Sequence, residues 1–542
     1  MYKKIILEKG KYKIDLSKIY KDYNEAENDL NKIDYLIDKI NKDDKSDKLF
    51  LNANNILNKS MKYMFLMEML NLDQRENIIF NNRKLYKIYL DKKYKLNNIS
   101  NLNNDKDEQI EKIINKYYRK INIYKINDLK RKMKNTKVLI ENIINTENIE
   151  LKEKYIKNDS VIYELNTNNK TKEDMLNKYY ELKLDNFGEY YKELASEIIE
   201  AYYILFNLFK ILEKKQIYDK LPYGKYYKEL DIIINNINGF KNVKKKIDED
   251  FLNKNNLKNT YFNLYTVDFE KRSSKFDYDK SIEIILNSFD MIGDSYKKEV
   301  LKTIKDGRID LIKRKNKINK NFVYEDYLSI GKSLKGKGIY SLAHELGHLI
   351  ENIINGNYNS EIFNEKNIEL FALINEYILN DYLLKINIDY DFKRIIVNKI
   401  FEMKQSLEIT YKIFEYFEKI GIDNYEKLNS EKQKIIEDIE KYYLEIVKKD
   451  NLENMSAPDC INKLWTFNLN LNIPFSELTY IMEYVFSNII FNDIKNKKIN
   501  EKDYFTIMKN NDEIFNEYGY NFDDKFKLEN NFKKFFNNIN KN

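Results

Sequence analysis

Leu30, Ile33, Ile37 and Ile40 recur at intervals of three and four residues among polar neighbours, the spacing that puts apolar side chains on one face of a helix. Similar patterns continue, with polar breaks, to about residue 180 and predict a helical N-terminal region. The Asn-rich run from Asn97 to Asp107 predicts a loop. The pattern pauses again at Asn186-Phe187-Gly188, which places a boundary between an N-terminal helical region over 1–185 and a second region over 186–542. Aromatic and β-branched residues gather from Asn259 to Asp268 (Tyr261, Phe262, Tyr265, Val267) and again at Phe322-Val323-Tyr324 and Tyr327-Leu328. These are the strand candidates of a helix-dominated chain, and they predict a small sheet just before residue 340. The most apolar stretch, Ile198 to Leu212, is interrupted by Glu200, Asn207 and Lys210, so it reads as a buried helix and not as a membrane span.

Composition strengthens the helical reading. Only 13 Gly and 3 Pro punctuate 542 residues, while Lys, Glu, Leu, Ile and Asn fill long uninterrupted stretches. A chain of this length is expected to form two or three packed units. Its net charge of +7 is the small difference between 94 basic and 87 acidic residues. The runs Lys244-Lys245-Lys246 and Lys313-Arg314-Lys315 are too short for a nucleic-acid stripe and read as solvated faces, so no nucleic-acid partner is expected. Cys460 is the sole cysteine, which excludes an intrachain disulfide and a cysteine metal cluster and points to a reducing, cytoplasmic setting. The N-terminal Met1 to Glu8 has too short an apolar run for a secretory signal, and no membrane association is expected.

The chemistry concentrates in one place. Both histidines of the chain lie in His344-Glu345-Leu346-Gly347-His348. On a helix, residues four apart share a face one turn apart, so both rings can reach one ion at about 2.0–2.1 Å. Glu345 beside them can take a proton from water, which is the logic of the H-E-x-x-H zinc pattern. A third ligand is needed, and with no further histidine it is a carboxylate; the downstream candidates are Glu351, Glu361, Glu365, Glu369 and Glu376. Glu369 and Glu376 lie seven apart in a largely apolar segment and point the same way from one helix, and a dication would offset their burial. Glu369 is therefore assigned as third ligand, with Glu376 and Glu351 as supporting carboxylates around one Zn2+ per chain; Mn or Co could use the same donors. The Gly331 to Gly338 stretch nearly spells a phosphate loop, but Gly338 stands where Ser or Thr would be required. Its glycines fit a turn passing close to the metal, with Gly336, Gly338 and Tyr340 as candidate substrate contacts.

The segment Ser341 to His348, followed by Glu369 and by Asn375-Glu376, resembles the oligoendopeptidase F branch of the thimet oligopeptidase family of zinc metallopeptidases. Ile14-Asp15-Leu16-Ser17-Lys18-Ile19-Tyr20 is similar to the family's opening segment, and Phe262-Asn263-Leu264-Tyr265 to one before its catalytic core. Tyr480-Ile481-Met482-Glu483-Tyr484 resembles its tyrosine-rich segment near the C-terminus. The likeness covers essentially the whole chain; Ile14, Glu351, Ala372 and Ser487 depart from the family's pattern. The resemblance implies a mainly α, multi-helix clamshell around a deep channel, with the catalytic domain over 186–542 and the small sheet next to the H-E-x-x-H helix. It implies a zinc-dependent endopeptidase for short unstructured oligopeptides, with Glu345 as general base and with Tyr484 and Tyr480 donating to the oxyanion. The departures leave open an alternative, a catalytically impaired peptide-binding protein of the same fold.

Overall fold

The computed structural model describes residues 14–40, 46–70, 75–100, 116–117, 119–133, 172–214, 230–257, 259, 264, 278–312, 317, 321–331, 338–356, 369–389, 391–421, 424–453, 455, 461–469, 476–509 and 525–541. In chain order its main elements begin with α1 (Tyr23–Ile40), α2 (Ser46–Leu70), α3 (Arg75–Ser100), α4 (Lys172–Lys214), α5 (Leu230–Asn238), α6 (Lys241–Asn255), α7 (Tyr278–Ser288) and α8 (Asp294–Lys305). The short strands β1 (Ile309–Asp310), β2 (Phe322–Tyr324) and β3 (Tyr327–Ser329) follow. Then come α9 (Gly338–Asn355), α10 (Leu370–Lys385), α11 (Phe392–Ile420), α12 (Tyr425–Asp450), α13 (Trp465–Asn468), α14 (Ser476–Lys495), α15 (Glu501–Lys509) and α16 (Lys525–Lys541). Among the described residues the fold is mainly α with one small sheet, as the patterning predicts.

The chain forms two compact units, each assembled from three stretches: residues 1–110, 268–390 and 483–521 in the first, and 111–267, 391–482 and 522–542 in the second. No pause appears at Asn186-Phe187-Gly188, which lies inside the continuous helix α4. Phe187 is buried there, and a glycine in a helix interior costs only about 1 kcal/mol, too little to end a long helix by itself.

In the first unit, α1, α2 and α3 pack together through the stripe the sequence marks: Leu30, Ile33 and Ile40 are buried with Ala26 and Leu36, and Ile37 is partly buried. The sheet has the order β1-β3-β2, with β1 parallel and β2 antiparallel to β3. Phe322-Val323-Tyr324 and Tyr327-Leu328 are thus strands of a small sheet, as expected, and pair as a hairpin whose two-residue turn is made with Glu325 at φ 51°. Lys62 bridges the carboxylates of Glu325 and Asp326 at 2.6 Å each and ties this turn to α2. Of the other strand candidates, Leu264 is helical, Asn259 is outside any strand, and the remaining residues of 259–268 lie outside the described residues. Asn97 to Ser100 close helix α3 where a loop is expected, while 101–107 lie outside the described residues.

The second unit includes α4 to α6, α11, α12 and α16. Ile198 to Leu208 are largely buried in α4, as expected. Lys244 departs from the solvated face assigned to it. It is fully buried on α6, with its ammonium 2.6 Å from Asp248 and 2.9 Å from the Asn451 side chain, so the charge is offset by partners that no local pattern announces. Lys313-Arg314-Lys315 lies outside the described residues. Among the described residues no helix is long and apolar enough to cross a membrane.

Candidate metal centre

Helix α9 buries Ile339, Leu342, Ala343, Leu346, Leu349 and Ile350, a pattern that fixes its rotation. With that face inward, His344 and His348 emerge one turn apart, half-buried, their Nε2 atoms 3.2 Å from each other. Helix α10 is apolar all round and correspondingly buried from Leu370 to Leu379. It lies against α9 at Gly347, where an added Cβ would stand 2.6 Å from the Ala372 Cα and 2.7 Å from the Ala372 nitrogen. Only glycine permits this approach. The approach carries Glu369, the residue at which α10 begins, up to the histidines: its Oε2 is 2.9 Å from His344 Nε2 and 3.5 Å from His348 Nε2.

These three separations suit a cation. Donors held tetrahedrally at about 2.0–2.1 Å from a zinc-sized ion sit about 3.3–3.4 Å from one another, and the three observed spacings bracket that value. All three residues offer one ligand atom within a 4.8 Å cluster. Behind it, Glu376 Oε1 is 2.8 Å from His344 Nδ1. A carboxylate can only accept, so Nδ1 carries the proton and Nε2 is aimed at the cluster, the orienting arrangement common to metal-bound imidazoles. The adjacent Asn375 is fully buried; its Nδ2 donates to the Ala343 carbonyl at 3.0 Å, and the Tyr296 hydroxyl donates to its Oδ1 at 3.1 Å.

Charge is tightly balanced here. Burial pulls the His344 imidazole down, but hydrogen bonds to Glu369 and Glu376 outweigh it and, with no cation present, hold it at about 10. Burial likewise pushes Glu369 up, and the hydrogen bonds and charges of the two histidines hold it well below the usual carboxylate range. Glu345 is lifted above its ordinary value by burial, an effect that the neighbouring histidine charges partly oppose.

The other assigned residues are more scattered. Glu351 is partly buried about one helical turn beyond His348, and its charge acts on the phenols of Tyr296 and Tyr504. Gly338 starts α9 and is buried; Tyr340 is buried and donates to Asn380 Oδ1 at 2.9 Å, while Gly336 lies outside the described residues. Tyr484 is buried in the first unit, where its carbonyl accepts from the Tyr377 hydroxyl at 3.4 Å and from Ser487 Oγ at 3.2 Å. Tyr480, on the same helix, is exposed and falls in the second unit. Two contributors escape the sequence reading. An isolated glycine inside an apolar helix pattern costs about 1 kcal/mol and hints at a packing reason, which for Gly347 is the close approach of α10. Glu483, whose Oε1 accepts from the Glu369 backbone N–H at 3.2 Å, carries no such signal.

No family model and no curated protein sequence matches the chain. Among solved structures it is similar to a protein from Chlamydophila abortus described as a peptidase, with 15% identity, 98% of each chain covered and a TM-score of 0.61. It is also similar to oligoendopeptidase-F from Enterococcus faecium, with 10% identity, 97% of this chain and 98% of that chain covered, and a TM-score of 0.45. Over nearly its whole length the chain shares the fold of the Chlamydophila abortus protein.

Proposed function

We propose that this chain is a zinc-dependent endopeptidase acting on short unstructured peptides. The observation that carries the proposal is the convergence of His344 Nε2, His348 Nε2 and Glu369 Oε2 with spacings suited to a tetrahedral dication, backed by the Glu376 contact to His344. The description of the Chlamydophila abortus neighbour as a peptidase supports the peptide as substrate class. A zinc ion held by these three residues would supply Lewis acidity to the scissile carbonyl and make an attacking water easier to deprotonate at neutral pH.

Glu345 takes the proton from that water and passes it to the leaving amine, so the water adds to the carbonyl carbon, the C–N bond breaks, and the carboxylate is free for another cycle. Its lifted pKa suits both halves of the transfer better than an ordinary carboxylate would. Glu376 holds the His344 ring in the tautomer that presents Nε2. Tyr484 is the candidate donor to the developing oxyanion, because a phenol keeps its proton at neutral pH.

Purified protein incubated with quenched fluorescent peptides should cleave them, lose activity with a chelator and regain it with zinc. Glu345→Gln should retain one zinc per chain and lose about 10²–10⁴-fold in turnover. Full activity in that variant, or cleavage indifferent to chelation, would end the mechanism. Peptide binding without turnover in the zinc-loaded wild type would make the chain an impaired binder of the same fold.

A further inference from the structure

Glu369 has two tasks that compete for one side chain. It is the residue at which α10 starts: its carbonyl accepts the first helical hydrogen bond, from Leu373 N at 2.9 Å, and its backbone has φ −97° and ψ −8°. Residues at that position are normally Ser, Thr, Asp or Asn, whose side chains cap the exposed N–H groups of the first turn. Glu369 makes no such cap, because its carboxylate is turned to His344 and His348. A second donor at such a start, the N–H of the first residue itself, is commonly met by a glutamate three residues on that reaches back to it. That place belongs to Ala372, fully buried with its backbone pressed against Gly347, and a glutamate there would have to be buried at the helix contact.

The missing acceptor comes from a different helix. Glu483 on α14 is 3% exposed, and its Oε1 accepts from the Glu369 N–H. A carboxylate at this end of α10 also faces the positive end of the helix dipole.

We propose that Glu483 is a positioning residue for the third metal ligand: it supplies, from another element, the acceptor for the Glu369 N–H that residue 372 cannot supply locally, and so fixes the backbone from which Glu369 reaches the cation. The proposal rests on the metal-centre reading above. It makes hydrogen-bond acceptance the essential property of residue 483 and separates that property from packing.

Two substitutions divide the possibilities. Glu483→Gln keeps a carbonyl acceptor in nearly the same shape, and Glu483→Met fills similar volume without one. Zinc affinity of each purified full-length protein is measured by competition with a chromophoric chelator, alongside the thermal midpoint of the zinc-free form. Glu483→Gln should bind zinc within about threefold of wild type, whereas Glu483→Met should bind about 10–100-fold more weakly, the usual effect of removing a group that orients a ligand. Zinc affinity unchanged in Glu483→Met would overturn the proposal, even if the zinc-free midpoint fell. Equal weakening in both variants would also overturn it, because charge and not acceptance would then be what counts. Failure of the wild type to bind zinc would remove the metal-centre reading itself, a distinct outcome from either of these.

Discussion

Glu376 shows how much one side chain behind a proposed ligand can decide. Its contact with His344 Nδ1 at 2.8 Å selects the tautomer, and neutral imidazole without that partner would spend part of its time with the proton on the wrong nitrogen. Glu376→Ala should therefore weaken zinc binding by about 10–100-fold, read by chelator competition; an unchanged affinity would show that packing alone orients the ring. A second residue, Lys130 of the second unit, carries a prediction about stability. Lys130 donates to the Leu469 carbonyl at 2.9 Å, and burial, partly opposed by the charge of Glu477, lowers its pKa from 10.5 to about 8. Below about 8 the amine is charged in both folded and unfolded chains, and the cost of burying it is fully present. Between about 8 and 10.5 the unfolded chain holds more protons, so this group's contribution to stability rises with pH and then levels off. The wild type should gain on the order of 3 kcal/mol relative to Lys130→Met between pH 7 and pH 10.5. Urea unfolding of both proteins across that range checks it, and a constant difference would show that the amine is well solvated.

Between elements, the decisive contact is the crossing of α9 and α10 at Gly347. Alanine in an isolated helix would be favoured over glycine by about 1 kcal/mol. Here its Cβ would meet backbone atoms of Ala372 at 2.6 and 2.7 Å, and backbone in a buried helix has no free end to swing aside. Gly347→Ala should therefore destabilise by about 1–3 kcal/mol despite its better propensity, and it should weaken zinc binding as well, because relief of the clash shifts the helix start that carries Glu369. A thermal midpoint equal to or above that of the wild type would contradict the close approach. The sheet illustrates the same dependence on neighbours at smaller size. β2 and β3 declare themselves by aromatic and β-branched residues, whereas β1, only Ile309 and Asp310, is a strand because Leu328 and Ser329 lie beside it.

For the whole molecule, a cation bound only by the folded form adds stability by mass action, about 2.7 kcal/mol when free zinc is a hundredfold above its dissociation constant. All the proposed ligands belong to the first compact unit, so zinc should slow amide hydrogen exchange in α9 and α10 and leave α6 and α12 of the second unit unchanged. Uniform slowing across both units would mean that they open together. The two units also show where sequence reading stops. The amino-acid sequence by itself determined the helical class, the amphipathic stripe of α1, the strands β2 and β3 and the pairing of His344 with His348, because each follows from residue type and spacing over a short span. Only the tertiary structure decided that 186–188 continue a helix, that Lys244 is buried against Asp248 and Asn451, that each compact unit gathers three separate stretches, and that Glu369 and Glu483 meet across 114 positions of chain. Those outcomes depend on which surfaces pack together, and packing is a property of distant residues that no local period records.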